Sequence, residues 1–149
     1  MGDEARTPDL MHVAVEPRAF DEIAAGRFPA LLGIQMQSVE RGRVTCRVPV
    51  RPELMAPNGY LHAGALVGVA DSLCGYGTIV NLPEGAVGFT TIELKCNFLG
   101  TVQEGAFVCE ATPVHIGRTT HVWDAVVSEE RSGRRLAVFR CTELVLFPR

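Results

Sequence analysis

The feature that most constrains this fold is an apolar run from Ala63 to Val80 that contains a single charged residue, Asp71. The run is too long for an ordinary strand, and drawn as a helix it places apolar side chains around most of its circumference. It therefore predicts a helix that is buried on nearly all sides. Four glycines in the run each lower helix propensity by ~1 kcal/mol relative to alanine. We expect another part of the backbone to approach the helix closely at these glycines.

The sequence on either side of this run predicts one short helix and several strands. A helix is predicted over Arg18–Gly26, directly after Pro17. The predicted strands are Ile34–Glu40, Val44–Val50, Val87–Phe98, Ala106–Ile116, Arg118–Ser128 and Arg134–Phe147. In the strand from Val87, alternation places Ile92, Leu94, Cys96 and Phe98 on one face and Thr91, Glu93, Lys95 and Asn97 on the other. The predicted class is α+β, an antiparallel sheet wrapped around one long helix.

Composition indicates how many domains the chain has, which partners it lacks and in which compartment it lies. The 149 residues suit a single domain, 1–149, with residues 1–17 as a polar, flexible arm. The net charge of −3 provides no broad basic patch, so we expect no nucleic-acid partner. Prolines, asparagines and His62 interrupt the most charge-poor stretch, so we expect no membrane span. The five cysteines form no C-x-x-C pair, and the N-terminus lacks a signal-peptide core, which predicts a cytoplasmic protein.

Asp71 is the first candidate for chemistry. An aspartate in an apolar helix loses solvation energy, so it must be paired, protonated or functional. The sequence alone leaves two other interpretations open: a structural aspartate satisfied by a partner, or a residue at a subunit interface.

The start of the same helix is the second candidate. His62, Ala63 and Gly64 stand where a helix N-terminus exposes free N–H groups and the positive end of its dipole. Such donors can hold the oxyanion of a thioester intermediate, although an ordinary turn-to-helix junction has the same residues. Asp71 lies ~12 Å further along the helix, so one chain cannot easily apply both to one carbonyl. A symmetric dimer could, with one group from each subunit.

Three motifs carry a family resemblance. The segments NGYLHAGA (58–65) and VAD (69–71) resemble the G-x-x-H-G-G…A-D/E signature of hotdog-fold thioesterases, and more narrowly the phenylacetate-type and Arthrobacter-type hydroxybenzoyl-CoA branch. The strand TTIELKCNFL (90–99) and the turn HIGRT (115–119) are similar to that family's strand and turn. The resemblance spans about residues 32 to 147. It implies a hotdog fold, hydrolysis of an acyl-CoA or acyl-carrier-protein thioester at a subunit interface, and a homodimer or homotetramer.

The resemblance also assigns roles to individual residues. Asp71 matches the catalytic carboxylate, which acts as nucleophile or as general base for water. Ala63 matches the glycine whose N–H polarises the carbonyl, with Gly64 beside it, and His62 matches a histidine that touches the thioester sulfur or orders the turn. Relatives carry Gln or Asn where this chain has Ala56, and Asn58 is the nearby substitute. Many relatives have Ser or Thr at the position of Gly75.

The remaining roles concern coenzyme A. By resemblance, Gly117, Arg118 and Thr119 meet the CoA phosphates, and an arginine beside a glycine turn suits phosphate binding. Thr90 and Thr91 would line the pantetheine tunnel. An exposed hairpin arginine and ordinary β-forming threonines are the alternatives. No metal is expected, since His115 and His121 lack metal-ligand spacing, and no cofactor is expected because CoA is part of the substrate.

Two other functions compete with hydrolysis. A non-catalytic acyl-CoA binding or sensing module on the same fold would explain Ala56, although it gives no reason for Asp71. Hydratase-type hotdog enzymes use an Asp-x-x-x-x-His arrangement on the central helix. Residues 72–76 contain no histidine, which disfavours that class.

Overall fold

A six-stranded antiparallel sheet curls around one long helix in the computed structural model, which describes residues 13–149. The helices are α1 Pro17–Ala24, α2 Phe28–Leu31 and α3 Ala63–Ile79, with a short 3-10 turn at Pro52–Leu54. The strands are β1 Gln35–Glu40, β2 Arg43–Pro49, β3 Gly88–Phe98, β4 Ala106–Ile116, β5 Thr120–Glu129 and β6 Arg135–Leu146. Their order across the sheet is β1-β2-β4-β5-β6-β3. The predicted α+β hotdog class is confirmed, and every predicted strand is present to within two residues at each end.

The long helix is buried as predicted, because α3 contacts all six strands and its side chains form the centre of the core. Its glycines accommodate side chains, however, and the expectation of a close backbone approach was wrong. The rings of Phe28, Phe89 and Trp123 occupy the space that a Cβ at Gly68, Gly75 and Gly77, respectively, would need. The glycines therefore let large side chains pack directly against the helix backbone.

The N-terminal segment folds over one end of this core. The helix predicted from Arg18 begins one residue earlier, at Pro17, and a second short helix, α2, follows it. The predicted flexible arm covers residues 1–17. Its residues 1–12 lie outside the described part of the chain, and Pro17 belongs to α1. Across residues 13–149, no helix is long and apolar enough to cross a membrane.

Strand β3 departs from strict alternation at a β-bulge. Thr91 pairs with Glu143 of β6 and Glu93 pairs with the adjacent Thr142, so Ile92 is an extra residue. The sequence placed Thr91 on the same face as Glu93, and that assignment was wrong. The bulge reverses the alternation, so Thr91 faces α3 while Glu93 faces away from it.

Candidate active site

Asp71 lies on the face of α3 that is turned towards β3, and its side chain is only partly buried. The hydroxyl of Thr91 donates a hydrogen bond to Asp71 Oδ1 at 3.1 Å. Burial raises the pKa of Asp71 above its usual 3.8, and the Thr91 hydrogen bond offsets part of this rise. A carboxylate in this setting is more basic than an exposed aspartate and keeps one oxygen fixed by a neutral donor.

A largely apolar cavity of about 280 Å³ opens beside Asp71. It lies between α1, α2, α3 and β3, and besides Asp71 and Thr91 it is lined by Ile23, Ala24, Arg27, Pro29, Ser72, Gly75, Tyr76, Ile79 and Phe89. Since Gly75 has no side chain, the ring of Phe89 packs directly against the helix backbone there, and both residues form part of the cavity wall near Asp71. The cavity can hold an apolar group next to a carboxylate.

His62, the residue directly before α3, caps the N-terminus of the helix. Nδ1 of His62 accepts a hydrogen bond from the Gly64 N–H at 2.8 Å. The Gly64 N–H, one of the expected oxyanion donors, is therefore already used. The Ala63 N–H has no acceptor among the described residues and stays available. Because Nδ1 accepts, the neutral His62 ring carries its proton on Nε2 and can donate from there.

A second cleft, of about 660 Å³, lies in front of this helix start. It is lined by Ala56, Asn58, Tyr60, Leu61, His62, Ala63, Leu66, Phe98, Gly100, Thr101 and Arg134. Oδ1 of Asn58 accepts from the Tyr60 N–H at 3.1 Å, which leaves the side-chain amide nitrogen as the group that can face a ligand. Asn58, His62 and Ala63 thus come together in one cleft, whereas Asp71 lines the other cavity.

Comparison with known proteins agrees with this architecture. Residues 58–134, which include both the helix start and Asp71, match the family model of the thioesterase superfamily. The chain belongs to the thioesterase superfamily. It is 31% identical to 1,4-dihydroxy-2-naphthoyl-CoA hydrolase of Listeria monocytogenes over 74% of this chain and 89% of that one. It is 32% identical to the proofreading thioesterase EntH of Klebsiella pneumoniae over 78% of this chain and 84% of that one.

Solved structures show the same fold. A mutant of thioesterase PA1618 from Pseudomonas aeruginosa superposes with a TM-score of 0.81 at 29% identity, over 95% of this chain and 96% of that one. Thioesterase HI1161 from Haemophilus influenzae gives a TM-score of 0.83 over 90% of this chain and 92% of that one, at 24% identity. This chain is therefore a hotdog thioesterase.

The residues predicted to bind CoA are not gathered in one place in this thioesterase. Thr90 pairs with Leu144 and faces away from α3, whereas Thr91 faces Asp71, so the two threonines lie on opposite faces of β3 and their pantetheine role stays a prediction. Gly117, Arg118 and Thr119 form the exposed turn between β4 and β5, and they line neither the cavity nor the cleft. The Arg118 guanidinium stacks on the ring of Phe147 at 4.8 Å, and the phosphate role of this turn stays a prediction.

The sequence patterns did not single out one acidic residue that lies beside the site. Glu143 of β6 is fully buried, and the register places it between Thr91 of β3 and His121 of β5. Ligand atoms of Asp71, Cys141 and Glu143 lie within 4.8 Å of one another, close enough to share an ion. The absence of a metal therefore stays a prediction. The signal that could have found it is that Glu143 is the one acid among the core-facing positions 139, 141, 143 and 145 of β6.

Proposed function

We propose that this thioesterase hydrolyses an acyl-CoA or acyl-carrier-protein thioester with Asp71 as its catalytic carboxylate. The observation that carries the proposal is the position of Asp71 at the wall of an apolar cavity, where one oxygen accepts from Thr91 and no cation pairs with it among the described residues. The acyl group would occupy the cavity. Asp71 would then attack the carbonyl carbon or activate the attacking water.

The complete site in this proposal spans two subunits. β3 is the last strand of the sheet. Four large apolar side chains on or directly after this strand are 43–59% exposed: Ile92, Leu94, Phe98 and Leu99. Unpaired apolar edges favour pairing with another strand. Antiparallel pairing of two β3 edges about a two-fold axis would place Phe98 of one chain opposite Gly88 of the other. Since Phe98 lines the helix-start cleft and the Gly88 end adjoins the Asp71 cavity, each cavity would meet the partner's helix start.

The groups at the helix start then have defined tasks. The Ala63 N–H would hold the carbonyl oxygen, whose negative charge grows as the tetrahedral intermediate forms. Nε2–H of His62 would face the departing thiolate sulfur. The amide nitrogen of Asn58 would supply a second polar contact in place of the Gln or Asn that Ala56 lacks. The pantetheine arm would leave through the wider cleft.

The same proposal covers acyl class, assembly and compartment. Tyr76, Ile79 and Phe89 favour an apolar acyl group, aryl or aliphatic, in the cavity. We propose a homodimer as the smallest active unit, with the homotetramer as a dimer of such dimers. The described cysteines are all free, four of them buried, which fits a reducing cytoplasm.

The test is thiol release from a panel of aryl- and alkyl-CoA thioesters by the wild type and by Asp71→Asn. The variant keeps the side-chain shape but removes the base, so turnover should fall at least ~10²-fold. Because burial raises the pKa of Asp71, the wild-type kcat/KM should climb with pH through a value above the usual 3.8. Protonation inactivates the carboxylate below that pH.

Each other outcome contradicts part of the proposal. Equal turnover by both proteins would remove Asp71 from the mechanism. Binding of CoA esters without turnover by either protein would instead favour the acyl-CoA sensing module.

A further inference from the structure

Glu143 is a buried acid that the proposed mechanism does not use. Its side chain has 0% exposure, and Oε1 accepts from the Cys141 thiol at 3.4 Å. Oε2 has no hydrogen-bond partner, and no lysine or arginine among the described residues forms a salt bridge with this carboxyl group. An ionised carboxylate would be left nearly unsolvated here, whereas the neutral acid has an O–H to donate.

The groups that face Glu143 agree with a neutral acid. Asp71 and Cys74 approach from α3, Thr91 from β3 and His121 from β5, while Cys141 lies on its own strand. Burial raises the pKa of Glu143 above its usual 4.5, Thr91 and Cys141 offset part of this, and the neighbouring Asp71 raises it further. Burial also lowers the pKa of His121, so that ring supplies no compensating positive charge.

Thr91 lies between the two acids. Its hydroxyl has one proton, which it donates to Asp71, and two lone pairs that can accept. Its backbone is paired with Glu143 in the β3–β6 register, and directly opposite residues of an antiparallel pair point to the same face of the sheet. Since Oε2 of Glu143 has no hydrogen-bond partner, a protonated Glu143 has an O–H that a side-chain rotation can direct to the Thr91 hydroxyl on the same face.

We propose that Glu143, as a neutral acid, donates to the Thr91 hydroxyl and thereby keeps the Thr91 proton directed at Asp71. Glu143 is thus a positioning residue for the catalytic carboxylate. This inference rests on the proposed role of Asp71. Without the donor, the Thr91 hydroxyl is free to rotate, and Asp71 loses its fixed orientation and the hydrogen bond that favours its ionised form.

The experiment compares kcat and the pH profile of kcat/KM for Glu143→Gln, Glu143→Leu, Thr91→Val and the double variant Thr91→Val/Glu143→Leu. Glutamine keeps the shape and an N–H donor, so Glu143→Gln should retain kcat within about threefold and the same acidic midpoint. Glu143→Leu should lose about tenfold in kcat. Its acidic midpoint should move to higher pH, because the hydrogen bond that lowers the pKa of Asp71 is weakened.

The double variant and a control variant test whether Glu143 acts on Asp71 through Thr91. Thr91→Val should resemble Glu143→Leu, and the double variant should be no worse than Thr91→Val, since both changes break one chain of hydrogen bonds. Val145→Ala, on the same buried face of β6, should lower Tm without moving the acidic midpoint. Infrared spectra of the wild type at neutral pH should show a protonated carboxyl band that Glu143→Gln lacks, a measurement that does not require Glu143→Leu to fold.

Several results would overturn the inference. A midpoint that moves to lower pH in Glu143→Gln would mean that Glu143 is ionised and acts through its charge. Unchanged kinetics in Glu143→Leu would reduce Glu143 to a packing role, and a missing carboxyl band would remove the neutral acid. Failure of the proposed function is separate, because it appears as full activity in Asp71→Asn, whatever the Glu143 variants do.

Discussion

The two ends of the functional stretch of α3 differ in what they offer a substrate. The helix start, at His62 and Ala63, is exposed, opens on a wide polar-rimmed cleft and has hydrogen-bond donors but no carboxylate. Two turns later, Asp71 is partly buried beside a smaller apolar cavity and has a carboxylate but no backbone donor, since helix-interior N–H groups are already bonded. In the proposed mechanism, each region supplies half of what thioester hydrolysis needs. The helix keeps the halves ~12 Å apart, so the proposed site requires a second subunit to be complete.

The largest effect on the helix-start half should come from Ala63→Pro. Proline removes the N–H, yet it is well tolerated at the first position of a helix. His62 already has the extended backbone, φ −64° and ψ 132°, that a residue before proline requires. Loss of an oxyanion donor should lower kcat by about 10²- to 10³-fold, measured by thiol release.

Ala63→Gly is the matched control, because it removes the side chain and keeps the N–H. It should stay close to wild-type kcat. Equal losses in the proline and glycine variants, or full activity with proline, would show that the Ala63 N–H does not hold the carbonyl oxygen.

Mixing two inactive proteins tests whether the halves come from different subunits. Asp71→Asn and Ala63→Pro chains, co-expressed with different tags, form mixed dimers in which one of two sites has both intact groups. A random mixture should then recover about a quarter of wild-type activity, because half of the dimers are mixed and half of their sites are complete. If both groups acted within one chain, every site would keep one defect and no activity would return.

The sequence predicted α3 because its signal is local, and the same local pattern singled out the candidate residues at both ends of the helix. An apolar run with one acid defines α3, and a histidine before Ala63 marks its start. The use of the Gly64 N–H by His62 was not predictable from the motif, since it depends on the rotamer of the histidine ring. The sequence therefore singled out candidate donors at the helix start but could not show how many of their N–H groups remain free.

The part of the site contributed by β3 and β6 was harder to predict. Strict alternation turned Thr91 away from Asp71, because a single-residue bulge leaves no mark in the pattern of apolar residues. In the sequence, Glu143 is an ordinary strand residue. Only the pairing of β3 with β6 shows that it lies beside Thr91. Contacts between strands that are distant in sequence depend on register, which one chain's periodicity does not specify.

The smallest predicted effect concerns acyl selectivity at the Asp71 end. A Cβ at position 75 would lie 3.0 Å from Phe89 Cζ, so Gly75→Ala adds a methyl group to the cavity wall and displaces the Phe89 ring, which lines the cavity next to Asp71. One added methyl group changes discrimination by ~1–3 kcal/mol, and kcat/KM for an arylacyl-CoA should fall about tenfold relative to a short alkyl-CoA.

Gly68→Ala provides the comparison, because it adds the same methyl group on the same helix against Leu32 and Phe28, which do not line the cavity. It should alter Tm and leave the ratio of the two substrates unchanged. A Gly75→Ala enzyme with wild-type selectivity would place the acyl group outside this cavity. The wider cleft at the helix start would then be the acyl site, and the tasks of the two ends of α3 would be exchanged.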